Sequence, residues 1–373
     1  MMNAKQIIFA VLGLLTYFCA LTVVAKEEQK VLVVLSSNGE DAGDVAPGFE
    51  FDEFAKAYLV FKRNGLHVDI ASPAGGAPIA DKYDADKPYN AEVLADPTAM
   101  QKLKQTLATS AVDASDYAAV FVVGGKGAMF DLPKDKALQH VIADIWQQDG
   151  VVAAVCHGPA ALVDIKLADG SYLVADKEVN SFTNEEEQLF GKKWINEFAF
   201  LLEDKLIERG AKFESSEIML SHVAVDGRLI TGQNPTSTVD VANKVVEKLG
   251  LTPVQSTPYT EDRTLTVIAE FLAGDGKAIT KFEHQPEQYQ MNLIGMYGYY
   301  YTEVANTDSQ LERALDLMQV AQSSLKHPKL DMKIAQTQQQ LGEVAAAKGT
   351  LKTLLKSQPD FQPAIDMLKS LSI

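Results

Sequence analysis

Residues 151–162 read VVAAVCHGPAAL and carry the strongest indication of the fold. The apolar run that ends at Val155 has the length of a buried strand, and Cys156-His157-Gly158 follows it directly. A nucleophile at a sharp turn between a strand and a helix is presented on strained backbone. The N-terminus of the following helix would stabilise the thiolate, and the next backbone N–H would bind a developing oxyanion. The alternative is a buried structural cysteine.

The sequence around this turn alternates between apolar runs and helical segments. Runs of strand length begin near residues 30, 67 and 118, two short strands surround residues 226–227, and helical periodicity covers residues 51–64, 136–148 and 237–249. Strands that are buried on both faces and separated by helices form a parallel sheet between two helical layers. We therefore predict an α/β, flavodoxin-like fold with its reactive groups at the carboxyl ends of the strands.

The composition is that of a globular protein, with 47% hydrophobic and 23% charged residues in a chain of 373. This length is sufficient for two domains. The formal net charge of −16 argues against nucleic acid and anionic membranes as partners, because an acidic field repels phosphate. The sequence shows neither a metal-ligand cluster nor a dinucleotide fingerprint, so we expect no cofactor and a small substrate.

The first 25 residues have the pattern of an export signal. Lys5 precedes an apolar run over residues 7–24, and the small residue Ala25 stands before a charged stretch. This order predicts a signal peptide over residues 1–25 and a periplasmic or secreted protein. The alternative is an uncleaved membrane anchor, since the run is about long enough to span a bilayer.

The chain has two cysteines, Cys19 and Cys156. Cleavage of the signal would remove Cys19, and a single remaining cysteine cannot form an internal disulfide. Cys156 is therefore predicted to be either a small buried side chain or a reactive group.

The composition changes after the predicted α/β domain, which we assign to residues 28–252. A stretch rich in Pro, Thr and Ser predicts a linker over residues 253–262, and residues 263–373 have helical periodicity with no run of strand type. Residues 335–361 resemble a tetratricopeptide unit, and residues 298–328 fit that pattern more loosely. The alternative is a plain helical hairpin packed on the first domain.

Several further motifs accompany the cysteine turn in a fixed order. They are GFEFDEFAKAYLVFKRNGLHVDIASP at residues 48–73, GGKGAMFDLP at 124–133, SFTNEEE at 181–187 and GRLITGQNPTS at 227–237. Together with AAVCHGPAAL at residues 153–162, they resemble the ThiJ/PfpI superfamily, which has the class I glutamine amidotransferase-like fold. The resemblance covers residues 30 to about 250 and leaves residues 260–373 outside it.

The resemblance implies a carboxyl group beside the cysteine. In this family a Glu about a dozen residues before the Gly that ends the first helix lies next to the sulfur, and Glu53 has this spacing from Gly65. Glu50 and Asp52 are neighbouring alternatives. The carboxyl group of Glu53 would form a hydrogen bond with the sulfur and transfer a proton.

The histidine after the cysteine resembles that of one branch, the glutathione-independent glyoxalases and heat-inducible chaperones. In that branch an acid from the segment that matches residues 181–187 orients the imidazole of His157. We favour Glu187 for this role, with Asn184 and Glu186 as alternatives. A histidine next to the nucleophile in sequence usually points differently from the histidine of a protease triad.

The glycine loop after the predicted strand at residues 118–124 is expected to contact the substrate. Gly124 and Gly125 would let the backbone approach it closely, and the Gly125 amide would join that of His157 in an oxyanion hole. Gly158 completes this predicted substrate-binding set. Relatives often have a His where this chain has Lys126, so the substrate preference is open to a different or an acidic carbonyl compound.

The resemblance implies a cysteine-dependent enzyme that converts a 2-oxoaldehyde such as methylglyoxal to a 2-hydroxy acid without glutathione. This is the glyoxalase III or D-lactate dehydratase type of reaction, and a protein deglycase or another cysteine hydrolase would use the same attack. A second hypothesis is a periplasmic holdase chaperone or scaffold that binds proteins through its C-terminal helices. A third is an amidase or peptidase. Relatives are often dimers, so a homodimer is also expected.

Overall fold

A computed structural model describes residues 29–39 and 46–372 of the chain. The predicted signal peptide at residues 1–25 lies outside the described residues. Within those residues, no helix combines the length and the apolar character that a membrane crossing requires.

The strands of the described residues form a mostly parallel sheet. They are β1 Lys30–Val34, β2 His67–Ser72, β3 Leu107–Ala108, β4 Ala119–Val122, β5 Val151–Val155, β6 Glu178–Val179, β7 Lys212–Phe213, β8 Val223–Asp226 and β9 Leu229–Gly232. The main sheet has the order β3-β2-β1-β4-β5-β9-β8. Its neighbouring strands pair parallel except at the edge, where β8 pairs antiparallel with β9. Strands β6 and β7 form a separate parallel pair. The predicted α/β, flavodoxin-like fold is confirmed.

Helices cover both faces of the sheet. Those of the first region are α1 Phe51–Arg63, α2 Pro88–Leu94, α3 Pro97–Lys104, α4 Ala128–Asp131, α5 Lys136–Gln147, α6 Asn184–Phe190, α7 Leu202–Glu208 and α8 Thr238–Lys248. Short 3₁₀ helices lie at Thr109–Ala111, Ala114–Asp116, Leu132–Lys134, Gly158–Leu162, Lys192–Asn196, Pro235–Ser237 and Pro286–Gln288. The segment after Cys156 is thus a short 3₁₀ helix.

The side chains of the central strands alternate between two buried cores. In β1, Val31 and Val33 join the core under α1 and α8, whereas Leu32 and Val34 join the core under α5. This alternation follows from the two-residue period of a strand. Because both faces are buried, strands β1, β4 and β5 are apolar apart from Lys30 at the start of β1, which is why they could be predicted from the sequence.

The C-terminal region is all-helical, as predicted. Its helices are α9 Thr260–Leu272, α10 Thr280–His284, α11 Met291–Val304, α12 Asp308–Leu325, α13 Pro328–Gln340, α14 Val344–Ser357 and α15 Gln362–Ser370. Helices α11 and α12 pack as one pair, and α13 and α14 as the next. The likeness to tetratricopeptide units stays a prediction.

The helical region shares its core with the first region. Ile218 and Leu220, from the segment before β8, are buried in the same cluster as Ile268, Tyr297 and Met318. The two regions are therefore joined by apolar contacts between residues far apart in sequence.

Candidate active site

Cys156 stands at the carboxyl end of β5, on backbone that few side chains adopt. Its φ is 60°, in the left-handed region that is rare for residues other than glycine. The conformation is held by the sheet, because the backbone N–H of Cys156 donates to the carbonyl of Gly232 in β9 at 2.9 Å. The carbonyl of Cys156 in turn accepts from Phe182 at 2.9 Å. The cysteine is 4% exposed and lines a pocket, so it is neither sealed in the core nor open to solvent.

Glu53 lies in the first turn of α1 and is fully buried beside the cysteine. Its Oε2 atom accepts a hydrogen bond of 2.7 Å from the backbone N–H of Gly124. Its Oε1 atom has no partner of ordinary hydrogen-bond geometry among the described residues. The Cys156 thiol interacts with this carboxyl group, which in its ionised form can receive the thiol proton.

Burial disfavours the charged form of both groups. Burial raises the pKa of Glu53 well above its usual range, and the negative charge of Glu50 adds to this effect. Burial also raises the pKa of the Cys156 thiol, and the charge of Glu53 raises it further. The N–H of Gly125, which donates to the sulfur, opposes this rise. The thiolate stabilisation that we predicted from a following helix is therefore outweighed by burial, and the 3₁₀ helix after Cys156 is only five residues long.

The imidazole of His157 bridges the sulfur and a second acid. Its Nδ1 atom lies 3.4 Å from Sγ of Cys156, and its Nε2 atom lies 2.8 Å from Oε2 of Glu187. The ring packs against Phe182, with 4.7 Å between the ring centroids. All of these side chains are buried, so the ring is held in one orientation.

The alternatives to Glu187 have other partners. The Oε1 atom of Glu186 accepts from the backbone N–H of Met219 at 2.7 Å and from the side chain of Asn234 at 2.9 Å. The Asn184 side chain donates to Asp204 at 2.8 Å. Of the three candidates, only Glu187 contacts His157.

The glycines of the predicted substrate-binding set have different environments. A Cβ at Gly124 would lie 2.7 Å from the backbone N of His157, and a Cβ at Gly158 would collide with the carbonyl of Val122. Gly124 and Gly158 thus allow β4 and the cysteine turn to pack closely. Gly125, with φ of 92°, lines the pocket itself.

The pocket above Cys156 has a volume of about 320 Å³. Lys126 lines it, and so does Glu50, which sequence analysis treated only as an alternative to Glu53. Burial raises the pKa of Glu50 to about 7, Asp52 and Asp81 add to this, and Lys126 opposes it. Among the residues that the structure describes, no group of three or more His, Cys, Asp or Glu side chains could hold a metal ion.

A buried cluster of charges closes one side of the pocket. Lys56 of α1 is 3% exposed and lies 2.8 Å from both Glu261 and Asp262 of α9. Lys87 lies 2.5 Å from Asp52 and 3.2 Å from Glu261. The cluster could not be predicted from the sequence, because Lys56 and Asp262 are 206 residues apart and no local pattern links them.

The fold and the cysteine turn define a family. The family model described as "DJ-1/PfpI family" matches residues 44–248, and the chain belongs to this family. The matched range includes Glu53, Cys156 and Glu187. The helical region, from α9 onward, lies outside it.

Several relatives are named as glyoxalases. A glutathione-independent glyoxalase of Schizosaccharomyces pombe is 30% identical over 248 residues, which cover 61% of this chain and 99% of the relative. A glutathione-independent glyoxalase of Saccharomyces cerevisiae is 31% identical over 244 residues, which cover 59% and 98%. The chain is thus similar to enzymes of this kind in its α/β region.

Solved structures agree with this assignment. The Rapid Encystment Protein 24 KDa of Francisella tularensis has a TM-score of 0.55 and 32% identity, covering 59% of this chain and 99% of that one. Glyoxalase III from Candida albicans has a TM-score of 0.54 and 27% identity, covering 59% and 97%. Both are similar to the α/β fold described above.

Proposed function

We propose that this protein is a glutathione-independent glyoxalase that converts a 2-oxoaldehyde, such as methylglyoxal, to a 2-hydroxy acid. The observation that carries the proposal is the position of the Cys156 sulfur at a pocket, between the buried carboxyl group of Glu53 and the imidazole of His157. The relatives named as glutathione-independent glyoxalases support the same reaction.

The first step is attack of the Cys156 sulfur on the aldehyde carbon. In its ionised form Glu53 accepts the thiol proton, because this carboxylate interacts with the thiol and burial favours the neutral carboxyl group that results. The aldehyde oxygen takes up the resulting negative charge and then a proton from Glu53, which gives a hemithioacetal. We expect the N–H of Gly125, which donates to the sulfur in this structure, to stabilise that oxygen.

The next steps move one proton between the two carbons. His157, held by Glu187, removes the proton from the carbon bonded to sulfur, and an enediolate forms. Protonation of the neighbouring carbon gives a 2-hydroxy thioester of Cys156. Water then breaks the carbon–sulfur bond, releases the 2-hydroxy acid and restores the thiol. The net reaction adds one water to the aldehyde and needs no oxidant or reductant.

The test is consumption of methylglyoxal by the purified protein and by Cys156→Ala, with lactate as the measured product. The wild-type protein should form lactate without added glutathione, and the variant should form none. Circular dichroism should show the same fold for both, because the alanine removes only one sulfur atom. Lactate formation that persists in Cys156→Ala would rule out the proposal.

A further inference from the structure

One wall of the active-site pocket comes from the helical region outside the family match. Leu265 of α9 and Leu293 of α11 line the pocket, and both are buried. The family model ends at residue 248, so neither side chain belongs to the matched domain. The appended helices therefore contribute directly to the surface that a substrate meets.

The charges on this wall are already paired. Lys56 is neutralised by Glu261 and Asp262, and Lys87 by Asp52 and Glu261. Burial alone would raise the pKa of Glu261, but Lys56 and Lys87 outweigh it and lower this pKa to about 2. These groups pair with one another. This wall therefore has no unpaired lysine for a carboxylate or phosphate on the substrate, and Lys126, the remaining lysine of the pocket lining, interacts with the charge of Glu50.

The pocket has a large apolar share beside its polar lining residues Glu186, Asn234 and Thr236. Phe182, Phe190 and Met219 line it together with the two leucines. The volume of about 320 Å³ is within the range of roughly 300 to 1,000 Å³ that is usual for ligands much larger than methylglyoxal. A methyl substituent would leave most of this apolar surface without a contact.

We propose that the appended helical region makes the enzyme selective for 2-oxoaldehydes that carry a large, uncharged, apolar substituent. The aldehyde carbon lies at Cys156, and the substituent packs against Leu265 and Leu293. This inference rests on the proposed glyoxalase function and adds the substrate class to it.

The test compares phenylglyoxal with methylglyoxal as substrates of the full-length protein. The wild-type protein should have the higher kcat/KM for phenylglyoxal. Leu265→Ala and Leu293→Ala should each lower that value about tenfold, because each removes apolar contact with the phenyl ring. Their kcat/KM for methylglyoxal should fall by a smaller factor, since a methyl group makes less contact with these side chains than a phenyl ring does.

Two further variants separate packing in the pocket from stability of the helical core. Leu315→Ala removes a buried leucine of the same core that does not line the pocket, and it should leave the preference for phenylglyoxal unchanged. Leu293→Met keeps nearly the same volume and should preserve the preference.

The possible failures are distinct. The inference would be overturned by a wild-type kcat/KM that is higher for methylglyoxal, or by leucine variants that lower kcat/KM for both substrates by the same factor. Either result would leave the glyoxalase function intact. If neither aldehyde is consumed in a Cys156-dependent way, both the inference and the proposed function are wrong.

Discussion

The Nε2 atom of His157 lies 2.8 Å from the Oε2 atom of Glu187. A carboxylate can only accept a hydrogen bond, so it fixes the proton of the imidazole on Nε2. In this tautomer of the neutral imidazole, the Nδ1 atom is an acceptor that faces the sulfur of Cys156 at 3.4 Å. Glu187 thus determines which ring nitrogen can act as a base.

Replacing Glu187 with Gln should remove this control of the ring. The amide can donate as well as accept, so the tautomer with the proton on Nδ1 becomes accessible. We expect kcat to fall by about 100-fold, with little change in KM, since the side chain orients the base and is not expected to bind substrate. The measurement is steady-state kinetics over a range of pH. Glu185→Gln, two residues earlier on the exposed face of α6, should behave as wild type. An unchanged kcat in Glu187→Gln would contradict the assigned role.

Glu53→Gln should move turnover and thiol reactivity in opposite directions. The negative charge of Glu53 helps to raise the pKa of the Cys156 thiol, so its removal should lower that pKa. The pH midpoint for alkylation by iodoacetamide should therefore shift downward. Turnover should fall by about 10² to 10⁴, because the proton acceptor is lost. A midpoint that shifts upward would mean that Glu53 stabilises the thiolate, contrary to this account.

Glu50→Gln should change how stability depends on pH. Burial raises the pKa of Glu50 from 4.5 to about 7, so the folded state binds more protons than the unfolded state between these values. The contribution of Glu50 to stability is therefore lost as the pH rises through this window. Relative to wild type, the variant should gain stability between about pH 5 and about pH 8, by at most about 3 kcal/mol. Urea denaturation measures the difference, and the exposed Glu247→Gln is the control.

Lys56→Met should destabilise the protein far more than a comparable change at the surface. The buried ammonium group neutralises Glu261 and Asp262, and its loss leaves both carboxylates without their main partner. We expect the free energy of unfolding to fall by about 3 to 5 kcal/mol. Lys244→Met removes an exposed ion pair with Glu247 and should cost no more than about 1 kcal/mol. Equal losses in the two variants would show that the buried cluster contributes little.

Much of the α/β fold could be predicted from the sequence, because its central strands are continuous apolar runs. The structure also places Cys156, His157, Glu53 and Glu187 together, where the resemblance to a family put them. Helices α2 and α3 were missed inside a polar stretch. They begin at Pro88 and Pro97, and Asp96 caps α3 by accepting from Thr98 and Ala99, so a start signal was present.

The contribution of the helical region to the pocket could not be predicted. Leu265 and Leu293 have the spacing of ordinary core leucines, and only the three-dimensional contacts show that they line the pocket. The raised pKa of Glu50 was missed for the same reason, since its causes include burial and the distant Asp81. Local periodicity indicates which face of a helix or strand is buried, but it does not indicate which residues pack against that face.

Ile218 and Leu220 belong to the first region in sequence and to the helical core in space. The protein should therefore lose its structure in a single cooperative transition on heating, with no stage at which the α/β region stands alone. Removal of residues 260–373 would uncover these side chains and leave Lys56 without its acids, so a shortened chain would tend to aggregate. The helices are thus better studied by single substitutions than as an exchangeable module.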